Sequence, residues 1–312
     1  MNKCVEGGTN PATVGAPVQT KEFFELLNNY YWSTIQPIQD RDGIWEYKVD
    51  ALRHFVRHYI FQRRGGEEYT SIAVAAIDDN RDALADARSW DSQLQEKLST
   101  DFGRWCTQAD IKRNPRLDPF SPGEASLLAV LSPSAIGDQT IASWARQLIR
   151  SGDLKKARDH LEKIRGVASK ISAFYMRDIS LLMRPRPCVA ADRRQFLQPI
   201  DIWTERAADV LAKHDPAYIV PKRRNPAKRR VRAAQILTFE VDNKLQTGQA
   251  NLGFWVIGAR FAQSASEFEA VVREIKGGSG CPRLSRLLKD ELKIAEERLD
   301  VLRSLIRTVS DY

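Results

Sequence analysis

The stretch "IRGVASKISAFYMRDI", Ile164 to Ile179, decides how the chain is read. Before it, "DLKKARDHLEKIRG" opens on Asp153, a helix-capping residue, and stops at Gly166. Leu161 and Ile164 give this first helix a buried side. A second helix follows at once, with Ser169 as its cap and Ile171, Phe174 and Ile179 on its inner side. Two helices joined by so short a turn cross at a steep angle and present the turn's backbone outward. Lys170 then falls in the first turn of the second helix. There the positive end of the helix dipole disfavours an ammonium, and partial burial acts in the same direction, toward a neutral, nucleophilic amine.

Outward from the hairpin, three- and four-residue apolar spacing dominates. In "IWEYKVDALRHFVRHYI" it runs through Trp45, Val49, Leu52, Val56, Tyr59 and Ile60. "DNRDALADARSWDSQLQEKL" reads as one polar-faced helix, and "PGEASLLAVL" as a helix with proline and acid at its start. "DQTIASWARQLIRSG", "DIWTERAADVLAKH", "GFWVIGARFA", "ASEFEAVVREIKGG" and "SRLLKDELKIAEERLDVLRSLIRTV" complete the set. Alternating β-runs are scarce, so the expected fold is all-α, two helical subdomains flanking a cleft. The breaks fall at Lys112–Glu124, Arg184–Arg194, the basic segment after Asp215, and Lys276–Pro282. They suggest a flexible arm over 1–20, a helical subdomain over 21–120 joined by C-terminal helices 262–312, and a core over 121–261.

A chain of 312 residues, 43% hydrophobic and 28% charged, has the composition of a soluble globular protein. No window is apolar enough for a membrane span, and "MNKCVEGGTNPATVGAPVQT" lacks the apolar core of a secretory signal. Cys4, Cys106, Cys188 and Cys281 are far apart, which argues for free thiols in a reducing compartment, cytoplasmic or nucleoid (nuclear in a eukaryote). The same spacing argues against a structural zinc or an iron–sulfur cluster. The formal net charge is +8, and "KRRNPAKRRVR" alone holds Lys222, Arg223, Arg224, Lys228, Arg229, Arg230 and Arg232. A run this dense, read as a loop, suits neutralisation of phosphates; a solvated loop or a localisation signal has the same composition.

Lys170 acquires meaning from Asp201. In "RRQFLQPIDIWTERAADVL" a proline stands two residues before Asp201, and a new helix begins after it. As an N-cap its carboxylate accepts backbone N–H bonds and stays ionised. Such a carboxylate near a sugar C1′ stabilises oxocarbenium character as a base leaves.

The hairpin "GVASK", a helix, and then "PID" opening the next helix together resemble the helix-hairpin-helix DNA glycosylases. The lysine is that of the bifunctional glycosylase/AP-lyase branch, and the likeness is greatest to the all-helical archaeal 8-oxoguanine DNA glycosylases. The resemblance covers roughly 123–261. It implies Lys170 as Schiff-base nucleophile and Asp201 as catalytic carboxylate. It implies Phe174 against one face of an extruded base, with Asn251 and Trp255 of "GQANLGFWVIGARF" on its edge and other face. Gly166, Ala168 and Ser169 would contact the DNA backbone, directly or through a monovalent cation, and no other cofactor is required. The implied partner is duplex DNA with a modified base, engaged by a monomer. Two features depart from the family: Ala168 replaces the usual third glycine of the hairpin, and 31 residues separate Lys170 from Asp201, more than usual. Oxidised guanine is the substrate by resemblance; another modified purine, a bulky modified pyrimidine, or a non-catalytic DNA-binding protein are the competing expectations. His54 and His58, one helical turn apart, have no evident third metal ligand, and His160 and His214 have no evident partner.

Overall fold

A computed structural model describes residues 18–35, 43–61, 66–86, 90–114, 118–185, 187–212, 226–278 and 281–293. Every regular element among them is helical, with no strand. The chain divides into two compact units: 40–199, and a second that joins 1–39 to 200–312. These limits differ from the expected subdomain limits at 120 and 261.

Helix α1 (Val18–Tyr30) belongs to the discontinuous unit. The continuous unit then contains α2 (Gly43–Glu46), α3 (Lys48–Phe55), α4 (Gly66–Asp78), α5 (Arg81–Ala85) and α6 (Ser92–Gln108). It continues with α7 (Leu127–Val130), α8 (Pro133–Ile136), α9 (Ile141–Ser151), α10 (Leu154–Leu161) and α11 (Ser169–Leu182). The discontinuous unit resumes with α12 (Ile202–Leu211), α13 (Pro226–Asp242), α14 (Gln249–Val256), α15 (Ala265–Lys276) and a last helix over 282–293. Single π-helical turns extend α1, α3 and α14, over Tyr31–Ile35, Val56–Ile60 and Ile257–Phe261.

Several expected helices are shorter or broken, each for a local reason. The run from Trp45 to Ile60 breaks at Tyr47, whose backbone is extended. The run from Asp79 to Leu98 is two helices. Buried Trp90 donates its indole N–H to the carbonyl of Leu84 at 3.0 Å. Asp91 then starts α6 by accepting the N–H of Leu94 at 2.9 Å. "PGEASLLAVL" is helical only over α7, because Ser126 caps it by accepting the Ala129 N–H at 3.1 Å, while Gly123 before it has φ +119°. Thr140 caps α9, and Gly152 closes it in the left-handed conformation.

The core of the continuous unit is aromatic. Phe61, Tyr69, Phe102 and Phe120 pack with centroids 5.0 to 5.9 Å apart, and Phe55, Tyr59 and Tyr175 form a second cluster against α11. Burial of each such ring contributes about 1.5–3 kcal/mol. In the other unit, Phe24 of α1 meets Phe254 edge-on at 5.4 Å and lies against Gly253, where a Cβ would stand 2.5 Å from its ring. The glycine is what allows α1 and α14 to approach so closely.

Candidate functional site

The candidate residues fall into two sets, one in each unit. In the continuous unit, α10 ends at Leu161 and the chain turns through 162–168 into α11. The turn closes on itself: Lys163 N–H bonds to His160, Ile164 N–H to Leu161, and Val167 N–H to Ile164. Gly166 has φ +84°, a left-handed conformation that side chains resist, so the glycine is required by geometry. Ala168, not Ser169, occupies the N-cap position; its backbone is extended, it offers no side-chain cap, and Ser169 is the first helical residue. The expected capping role of Ser169 is therefore corrected. An alanine in the cap position supplies no side-chain acceptor to the first-turn N–H groups.

Arg165 anchors this turn. Its N–H bonds to the carbonyl of Ala125 at 2.8 Å, and its guanidinium donates to the carbonyls of Ser121 (2.7 Å) and Asp118 (3.3 Å). Asp118 is itself buried, paired with Arg113 and accepting the N–H of Phe120 at 2.8 Å. The segment read from sequence as a mere break, 112–124, thus holds the hairpin.

Along α11, Lys170, Phe174 and Arg177 lie at intervals of four and three, on one face. The Lys170 Nζ is 5.8 Å from the Phe174 ring centroid and the Arg177 Cζ is 4.8 Å from it, both at cation–π range. Lys170 and Phe174 are half-buried, while Arg177 and its neighbour Asp178 are fully buried and paired at 2.7 Å. Asp178 also accepts the hydroxyl of Tyr59 at 3.0 Å. Nothing in the periodicity of α11 singled out this ion pair.

In the discontinuous unit, Asp201 is a buried N-cap of α12. Its Oδ1 accepts the N–H of Trp203 at 3.0 Å and of Thr204 at 2.9 Å, while the Thr204 hydroxyl accepts the Asp201 N–H at 2.7 Å. This reciprocal capping box fixes both the helix start and the carboxylate. Two residues after Asp201, the Trp203 ring lies over Gly258, where a Cβ would sit 2.3 Å from it.

Helix α12 packs on α14, which carries Asn251 and Trp255. Asn251 is fully buried; Trp255 is partly exposed, edge-on to Tyr31 at 5.9 Å. The start of α14 is held by Glu240, also buried, whose carboxylate accepts the N–H groups of Gly248 and Ala250, each at 3.0 Å.

The described part of the basic segment is helical rather than a loop. Lys222, Arg223 and Arg224 lie outside the described residues, whereas Lys228, Arg229 and Arg230 belong to the first turns of α13. Arg229 and Arg230 are exposed. Arg232, of the same run, is buried instead and pairs with Asp209 at 2.9 Å and Glu205 at 3.5 Å.

Burial keeps the imidazoles of His54 and His58 neutral. The His54 pKa is lowered to about 3, by desolvation and then by His58 beside it. That of His58 is lowered to about 4, by desolvation and then Arg57. His160 is lowered too, mainly by burial; its Nε2 lies 2.8 Å from the carbonyl of Val130, a partner the sequence did not reveal. His214 lies outside the described residues. Among the described residues, no group of three His, Cys, Asp or Glu side chains converges to hold a metal ion, and no helix is long and apolar enough to cross a membrane.

No protein-family model matches the chain, and no solved structure matches it. An uncharacterized protein of Methanocaldococcus jannaschii is 24% identical over 200 residues, which is 59% of this chain and 44% of that protein. The chain thus spans less than half the length of this relative.

Proposed function

We propose that the protein is a DNA glycosylase with AP-lyase activity. The observation that carries this reading is the placement of Lys170 in the first turn of α11, one turn before the Phe174 ring and beside a tight left-handed turn at Gly166. A nucleophilic amine and an aromatic platform then share one helical face, as an enzyme acting on an extruded base needs.

On this reading, Lys170 Nζ attacks C1′ of the damaged nucleotide as the C1′–base bond breaks, and the base leaves with the bonding electrons. The Asp201 carboxylate stabilises the positive charge that develops on the sugar. The amine then loses its proton, the ring opens to a Schiff base, and removal of a C2′ proton expels the 3′ phosphate, nicking the strand. Phe174 stacks on one face of the base. Backbone N–H groups around Gly166, Ala168 and Ser169 face a phosphate. The turn carbonyls of Leu161 and Ile164 accept N–H bonds from Ile164 and Val167, and on this reading their second lone pairs serve a monovalent cation. Exposed Arg229 and Arg230 add attraction for the DNA backbone.

The favoured substrate is 8-oxoguanine in duplex DNA. Borohydride added during reaction with an 8-oxoguanine or abasic duplex traps the Schiff base as a covalent adduct. The expected result is an adduct with the native chain and none with Lys170→Gln; no adduct on either duplex with the native chain overturns the lyase mechanism. Glycosylase assays on a panel of modified purines and pyrimidines identify the base.

A further inference from the structure

The fully buried ion pair of α11 lies directly behind Phe174. Arg177 and Asp178 have no exposed surface, their side chains pair at 2.7 Å, and the Tyr59 hydroxyl completes the carboxylate's shell at 3.0 Å. Removing two charges from water is costly, and well-packed apolar residues of the same volume are often as stable or more so. Stability alone therefore does not account for the pair. What the guanidinium does besides pairing is lie 4.8 Å from the centroid of the Phe174 ring. Asp178 pairs with that guanidinium and accepts the Tyr59 hydroxyl, and the Tyr59 ring packs against Phe55, at 6.0 Å, and Tyr175, at 5.0 Å. The chain of contacts runs from a rigid aromatic core, through a hydroxyl, a carboxylate and a guanidinium, to one half-buried ring.

We propose that Arg177 is a positioning residue, fixed by Asp178 and Tyr59, that locks the Phe174 ring in one orientation so that it presents a flat platform to a stacked base. The inference rests on the reading of Phe174 as a base platform, and it adds what makes the platform rigid. A half-buried phenylalanine at a helix surface otherwise samples more than one rotamer. A cation over its face, itself immobilised, selects one. Pre-ordering the ring spares that cost when the base arrives.

The test compares three full-length chains carrying 4-fluorophenylalanine at position 174. The first is otherwise native. The second carries Arg177→Met, Asp178→Leu and Tyr59→Phe together, which removes all three polar groups and leaves no buried charge unpaired. The third carries Arg177→Lys, which keeps a cation. Thermal unfolding establishes that each is folded. The expected result is one narrow fluorine resonance in the native chain and in Arg177→Lys, and a broadened or split one in the triple variant. In single-turnover excision of a modified base, the triple variant is expected to be slower by about ten- to a hundred-fold, the scale of a misplaced reacting group. An unchanged fluorine line in a folded triple variant overturns the proposal. So does an unchanged excision rate beside an active native chain. If the native chain excises nothing, the glycosylase reading fails while the fluorine spectra still decide whether Arg177 orders the ring.

Discussion

The Glu240 carboxylate accepts the N–H of Ala250 at 3.0 Å, and with it that of Gly248 at the same distance. It is the acceptor that the start of α14 would otherwise lack, since Gly248 in the N-cap position has no side chain to offer. Glu240 stands near the end of α13, so one buried side chain sets where the helix carrying Asn251 and Trp255 begins. Substituting Glu240→Leu leaves these donors buried without a partner. The expected loss is about 1–3 kcal/mol, read as a lower urea midpoint with an unchanged slope.

Asp201 separates structure from chemistry by the choice of substitution. Asparagine caps helices about as well as aspartate, and its amide oxygen can accept the same bonds from Trp203 and Thr204. Asp201→Asn should therefore melt within a few degrees of the native chain, while Asp201→Ala should lose about 0.5–2 kcal/mol. On the proposed mechanism Asp201→Asn removes the charge that faces the sugar. Base excision should fall on the order of a hundred-fold, measured by single-turnover release. An excision rate equal to that of the native chain would confine Asp201 to capping.

His54, in the last turn of α3, and His58, in the π-helical turn that extends it, give the continuous unit a specific acid sensitivity. Their pKa values in the folded chain are lowered to about 3 and about 4, from 6.5 in the unfolded chain. Between those values the unfolded chain takes up protons that the folded chain does not. Their contribution to stability is therefore complete above about pH 6.5 and is lost as pH falls toward about 4 and then 3. The unfolding midpoint should drop steeply over that window. His54→Phe with His58→Gln should flatten the decline, and equal declines in both chains would place the acid lability elsewhere.

Close approach at glycine predicts a large effect from a small substitution. A methyl group on Gly258 would lie 2.3 Å from the Trp203 ring, which is not the movable end of a side chain but a large indole held over α14's continuation. Gly258→Ala should cost about 1–3 kcal/mol, and Gly258→Ala with Trp203→Leu should recover part of it. Additive losses in a double-mutant cycle would show that the two residues do not meet.

Helix and hairpin were legible in the sequence because their signals are local: three- and four-residue apolar spacing, the glycine stop at Gly166, and the Asp201 cap before α12. Where one helix was expected and two are found, the deciding contact joins neighbours in ways that spacing does not encode, as with the Trp90 indole bonded to Leu84. The latch of Arg165 onto Ser121 and Asp118 spans more than forty residues, and the Tyr59–Asp178 bond joins residues 119 apart. Polar pairs that far apart leave no periodic trace, so the groups behind Phe174 and beneath the hairpin turn emerge only from the folded chain. Composition likewise counted Arg232 with the DNA-facing charges, although its side chain is buried against two carboxylates.

That distinction within one basic run gives opposite outcomes for residues two or three positions apart. Arg229 and Arg230 are exposed on α13, so neutralising both as Arg229→Gln and Arg230→Gln should leave the unfolding midpoint within about 0.5 kcal/mol of native. If they lie along the phosphates, DNA binding weakens across all sequences, and its logarithmic salt slope falls by about one for each phosphate no longer neutralised. Arg232→Gln should do the reverse. It leaves Asp209 and Glu205 without their shared cation, destabilises the fold by several kcal/mol, and does not change the salt slope of whatever chain remains folded. Fluorescence titrations of a labelled duplex at several salt concentrations, beside thermal melts, read both effects. An unchanged salt slope in the Arg229/Arg230 variant would place that end of α13 away from DNA.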